Sequence, residues 1–124
     1  MDAEEFRQAA QQAMDDLPIL FRLAMENVVI VTEDFPTIGT LREMNAESPY
    51  ELLGLFQGWP LPDRDSLHGG QPPDIIHLYR KPILAYSEKH GEDVAHCIRH
   101  VLIHEIGHYF GFSDEEMEAV ECQP

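Results

Sequence analysis

Residues 104–114 read HEIGHYFGFSD, and the whole chain is read outward from them. His104 and His108 stand four apart, so on a helix they project from one face about one turn apart. Two imidazoles at that spacing can both reach one tetrahedral Zn²⁺ at about 2.0–2.1 Å. Glu105 lies roughly 100° round the helix from His104, beside such a metal rather than on it. From there its carboxylate can take a proton from an attacking water. Gly111 can adopt the left-handed conformation that ends a helix and folds the chain back. A tight turn there would bring Asp114 to the same metal. Two His and one Asp leave a coordination position open for water, as catalytic zinc sites do. Should Asp114 not be the third ligand, Glu118 on the last helix is the next candidate.

The pattern H-E-x-x-H carries this chemistry only on a helix, and the flanking sequence provides one. Glu92 to Phe110 is the longest helical stretch, with Gly91 before it and Gly111 after it. Ala95, Ile98, Leu102, Ile106 and Tyr109 share a face expected to pack on a sheet. His100, His104, His108, Cys97 and Val101 fall in roughly the opposite sector. The helix is thus expected to be buried with one polar sector. His96 and His100 continue the histidine stripe, but residues four apart drift about 40° per step on a 3.6-residue helix. They are read as partners that orient the ligands or cap the helix rather than as ligands. Cys97 reads as a small buried residue. Ser113 and Glu116 spell a capping box for a last short helix, in which Met117 is a packing residue.

Upstream, Phe6, Ala9, Ala10, Ala13, Met14 and Leu17 recur at helical spacing, with Asp2, Glu4 and Glu5 placed to favour the N-terminus. Pro18 interrupts that helix, and Ile19 to Met25 predicts a second, short one. Val28 to Val31 is a β-branched run, apolar on both faces, and reads as a buried central strand. A short helix is expected around Ile38 to Met44. Leu52 to Gln57 reads as a strand whose Gly54 suits a sheet edge. Residues 58–73 hold four prolines and three glycines, which makes them a long loop. Asp74 to Tyr79 is a third strand, followed by a short helix from Lys81-Pro82 to about Ser87. His68 and His77 read as an ordinary loop His and strand His. The order of elements is α+β, with a small sheet of about three to four strands.

The 124 residues fit one domain, 1–124, and 44% apolar residues suffice for a single core. Against 23 acidic residues stand 8 basic ones, a net charge of −15. Such a surface repels phosphate backbones and anionic lipid, which argues against nucleic-acid and membrane partners. Cys97 and Cys122 make no disulfide framework, and the N-terminus has neither the basic nor the apolar region of a signal peptide. The expectation is a cytoplasmic protein with reduced thiols.

The chain resembles the minimal zincin-like metallopeptidases, short bacterial proteins with H-E-x-x-H-x-x-G-x-x-D near the C-terminus. The likeness runs through LLGLFQGWPL at 52–61, PDIIHLYRKPIL at 73–84 and CIRHVLIHEIGHYFGFSDEE at 97–116. It implies a small α+β core: a short mixed or antiparallel sheet, an active-site helix and an edge strand over the cleft. It also implies His104, His108 and Asp114 as metal ligands and Glu105 as general base. The larger metzincins are similar at this motif, but their later Met-containing turn has no counterpart here.

The expected activity is zinc-dependent hydrolysis of a peptide or protein substrate, with one Zn²⁺ per chain. An extended peptide would pair with the edge strand through Leu53, Gly54, Leu55 and Phe56. A donor for the tetrahedral oxyanion is also required, and Tyr79, Arg80, His77 and His100 are the upstream candidates for that or a supporting role. The competing expectation is a non-catalytic zinc protein that binds partners through the same strand edge. Glu105 discriminates between them, because zinc binding does not need it and water activation does.

Overall fold

A computed structural model describes residues 1–58, 73–111 and 113–121; the side chains of Leu20, Ala24, His108, Asp114, Val120 and Glu121 lie outside the description. Nearly all of the 58–73 loop, with His68, lies outside it too, as does Cys122.

Helix α1 spans Ala3–Asp15 and begins with a capping box: Asp2 accepts from the Glu5 amide and Glu5 accepts from the Asp2 amide. It buries Phe6 and Ala10 and is followed by α2, Ile19–Ala24, which starts at Pro18. Strand β1 spans Val28–Glu33, α3 spans Ile38–Glu43, β2 spans Gly54–Gln57 and β3 spans Asp74–Tyr79. Helix α4, Arg80–His90, ends at Gly91, whose φ of 64° is left-handed. Helix α5, Val94–Phe110, follows, and α6, Asp114–Glu121, closes the described chain.

The three strands form a mixed sheet in the order β1-β3-β2. Strands β1 and β3 are parallel, with Val31 opposite His77; β2 runs antiparallel to β3, with Leu55 opposite His77. The fold is α+β, as expected. One expectation fails: among the described strands β1 lies at the edge of the sheet and β3 is central. Val29 is 45% exposed, so the β-branched run is covered on one face only. Composition revealed the strand, but position in the sheet depends on pairing. Strand β3 takes the centre although it carries His77, because both neighbours supply polar partners on that face. The His77 ring lies 2.6 Å from Glu33 Oε1 through Nδ1 and 3.0 Å from Gln57 Oε1 through Nε2. Both are diagonal cross-strand neighbours, whose side chains share a face.

The core lies between one sheet face and the helices. Helix α5 packs against α1, α4, α6, β2 and β3, and α1 also covers β1. Ile98, Leu102, Ile103 and Ile106 of α5 meet Ile76 and Leu78 of β3, with Phe6 and Ala10 of α1, in one cluster. Two details of the expected helix pattern are corrected. Val101 is buried against the sheet rather than on a polar side, and Ala95 and Tyr109 are exposed, while Cys97 is buried as expected. Burial pushes the Cys97 thiol up to about 11, consistent with a packing role. Val101 faces the sheet: a Cβ added at Gly54 would stand 2.7 Å from its Cγ1 and 3.0 Å from the His77 carbonyl oxygen. Gly54 therefore lets α5 approach β2 closely. Met117 of α6 packs in the same way over Gly107, where a Cβ would meet its sulfur.

Replacing Gly54 by Ala is expected to destabilise the fold by about 1–3 kcal/mol, the usual cost of overpacking. Gly39→Ala on α3, where an added Cβ would make only ordinary contact with Thr37 Oγ1 at 3.9 Å, should instead stabilise by about 0.5–1 kcal/mol. Urea denaturation of both variants measures the two signs.

Candidate metal and peptide site

The site is built where the C-terminal half of α5 passes the edge of β2 that no described strand covers. Asp93 starts α5, its carboxylate accepting from the His96 amide at 3.4 Å. The helix runs unbroken through His104, Glu105 and the backbone of His108. It ends at Gly111, whose φ of 72° is left-handed, so a Cβ there would be strained. Ser113 then caps α6: its hydroxyl accepts from the Glu116 amide, and the Glu116 carboxylate accepts from the Ser113 amide, both at 3.1 Å. The capping box read from the sequence is present, and it fixes Asp114 as the first residue of α6.

His104 and Glu105 are half-buried. The His104 ring rests against the His100 ring with centroids 4.2 Å apart. His96 is exposed, as is Glu118 on α6. The donor set named from the sequence fits zinc in kind: two imidazoles one turn apart on a rigid helix and a carboxylate just past the turn that ends it. Among the described residues, no three His, Cys, Asp or Glu side chains form a metal-binding group. The side chains of His108 and Asp114 are not among them.

Glu105 is brought to the strand edge. Its Oε2 accepts a hydrogen bond of 3.1 Å from the Phe56 amide. Tyr79 donates its amide to the Leu53 carbonyl at 3.0 Å. Leu53 thus turns its main chain toward β3, and by antiparallel alternation Leu55 and Gln57 do likewise. Gly54 and Phe56 turn theirs to the opposite edge, where the Phe56 N–H meets Glu105. The Phe56 ring stacks on Tyr109, with centroids 4.2 Å apart. Tyr109 in turn meets Phe110 edge to face at 4.8 Å. Both are partly exposed beside the motif.

The remaining candidates separate clearly. Arg80 donates to Asp34 at 2.8 Å and to the Met1 carbonyl at 2.9 Å. His77 is held between Glu33 and Gln57. Tyr79 is buried; burial pushes its hydroxyl up to about 12, and the charges of Glu33 and Glu105 push it the same way. It stays protonated at neutral pH, and its hydroxyl finds no hydrogen-bond partner among the described residues. Sequence reading missed Glu33, Gln57 and the Phe56 amide. Continuing the β-strand alternation of VVIV two residues further would have placed Glu33 on the face of His77. A backbone donor leaves no mark in sequence.

A family model for zincin-like metallopeptidases matches residues 25–123. None of the curated proteins compared with the chain matches it.

A hydrogen bond to a charged acceptor contributes about 1.5–3 kcal/mol. Glu105→Ala should therefore speed hydrogen exchange at the Phe56 amide by roughly 10- to 100-fold. The Leu55 amide, turned toward β3, should keep its protection. An unchanged Phe56 rate would show that the contact is not formed in solution.

Proposed function

The chain belongs to the zincin-like metallopeptidase family, and from that premise we propose that it hydrolyses peptide bonds with Glu105 as general base. The family is one of zinc-binding hydrolases, and its model spans the motif and all three strands. His104, His108 and Asp114 would hold one Zn²⁺. When bound there, the ion supplies Lewis acidity that polarises a carbonyl and brings the pKa of water to about 7. The observation that carries the reading is the hydrogen bond between Glu105 and Phe56. It sets a carboxylate beside two histidine positions and against the strand edge that no described strand covers.

In this reading, an extended peptide lies along β2 and adds a strand to the sheet. The Phe56 N–H is already engaged by Glu105, which leaves Gly54 and the Phe56 carbonyl to pair with substrate. Glu105 takes a proton from the attacking water and returns it to the leaving amine. Of the upstream candidates, His77 is held between Glu33 and Gln57, and Tyr79 lies on the same face as His77, turned away from α5. Arg80 is spoken for by Asp34. Nothing nucleic or membranous is expected as partner, and no helix among the described residues is long and apolar enough to cross a membrane.

The non-catalytic zinc protein is the alternative, and one substitution separates the two. Glu105→Gln should retain one zinc per chain and lose hydrolysis by at least about 100-fold, the usual worth of a general base. Asp114→Ala should weaken zinc binding. The measurements are metal analysis of purified protein and cleavage of a peptide library. Equal cleavage before and after Glu105→Gln would overturn the mechanism.

A further inference from the structure

The sheet has a second face, turned away from α5, and a cavity of about 360 Å³ lies between it and α3. Glu33 of β1, His77 and Tyr79 of β3, and Thr37, Thr40 and Glu43 at α3 line it. Among the described residues, no Lys or Arg does. Two carboxylates thus face the concavity, and among the described residues of its lining the His77 imidazole, 2.6 Å from Glu33, is the one basic group. Glu33 is partly buried beside His77, while Glu43 stands exposed at the rim.

A second observation points to a ligand. Tyr79 is 2% exposed, yet its hydroxyl lacks a hydrogen-bond partner among the described residues. A buried hydroxyl left unmatched is costly. A ligand donor entering the cavity would satisfy it while lying against Glu33.

The cavity also borders the strand edge, since Leu55, Phe56 and Gln57 of β2 contribute to its wall. Side chains alternate between faces along a strand, and paired residues share a face. Leu55 and Gln57 have His77 and Ile75 as partners, so they lie on the second face. A residue of an added strand standing opposite Leu55 or Gln57 would send its side chain to that same face, toward the cavity.

We infer that this cavity is a subsite for the ammonium or guanidinium head of a basic side chain in a peptide lying along β2. The inference rests on the reading of β2 as the peptide-binding edge. Glu33 and Glu43 supply the charge, the Tyr79 hydroxyl accepts a hydrogen bond, and the stem of the Lys or Arg lies over Leu55. The site selects a substrate class, peptides with a basic residue at one fixed position from the scissile bond, which the metal motif alone does not.

The test measures binding to the metal-free chain by amide chemical shifts. The probes are one five-residue capped peptide carrying Arg, its counterparts carrying citrulline or norleucine at that position, and free spermidine. The Arg peptide should bind roughly fivefold tighter than the citrulline peptide, as expected for a partly exposed ion pair. Shifts should centre on Thr40, Gln57 and Tyr79. Glu43→Gln, at an exposed position, should reduce the preference, and Glu33→Gln should abolish it. Glu88→Gln on α4 should leave it unchanged. Equal binding of Arg and citrulline peptides, an unaltered preference in Glu43→Gln, or spermidine binding as tightly as the peptide would overturn the subsite. The outcome is separable from the hydrolytic reading. An Arg preference without cleavage of any peptide would keep the subsite and sink the peptidase; cleavage without any Arg preference would do the reverse.

Discussion

The close approach of α5 to β2 at Gly54 is the contact on which the rest depends. Val101 occupies the space that any Cβ at position 54 would need. Val101 and Glu105 are one helical turn apart, so seating the first against the strand carries the second to the strand's edge. The Glu105–Phe56 hydrogen bond then follows from geometry already fixed by apolar packing. The Glu105 carboxylate is thereby positioned by the core and not by a loop, which is where precision of a few tenths of an ångström is available.

The same helix reconciles two opposed demands. Its middle is buried on most sides, with Ile98, Leu102, Ile103 and Ile106 fully inside. Its last two turns carry His104, Glu105 and the His108 backbone out to a strand edge. Gly111 stops the helix in a left-handed turn, and the Ser113–Glu116 cap starts the next one at Asp114. Met117 anchors that short helix onto Gly107, within the motif itself. The turn, the cap and the anchor together set where α6 begins.

Much of this was legible in the sequence, for reasons specific to each part. The long helix, its glycine stop and the capping box are local features, written in neighbouring residues, and each is present. The edge placement of β2 followed from Gly54, although the reason proved to be contact with Val101 and not weak strand propensity. Position in the sheet was not legible for β1, since a β-branched run states that a strand forms but not how many neighbours it has. The polar link from Glu33 through His77 to Gln57 was equally hidden, because it joins three strands distant in sequence. So was the Phe56 amide, which every residue but proline possesses.

The central claim is that this helix end and the residue after its turn hold zinc through two imidazoles and a carboxylate, with Glu105 outside the ligand set. X-ray absorption at the zinc edge of the zinc-loaded chain tests it most directly. The account predicts only nitrogen and oxygen neighbours, at about 2.0–2.1 Å, with the multiple scattering of two imidazoles. A sulfur neighbour at about 2.3 Å would place a cysteine thiolate in the ligand set and contradict it.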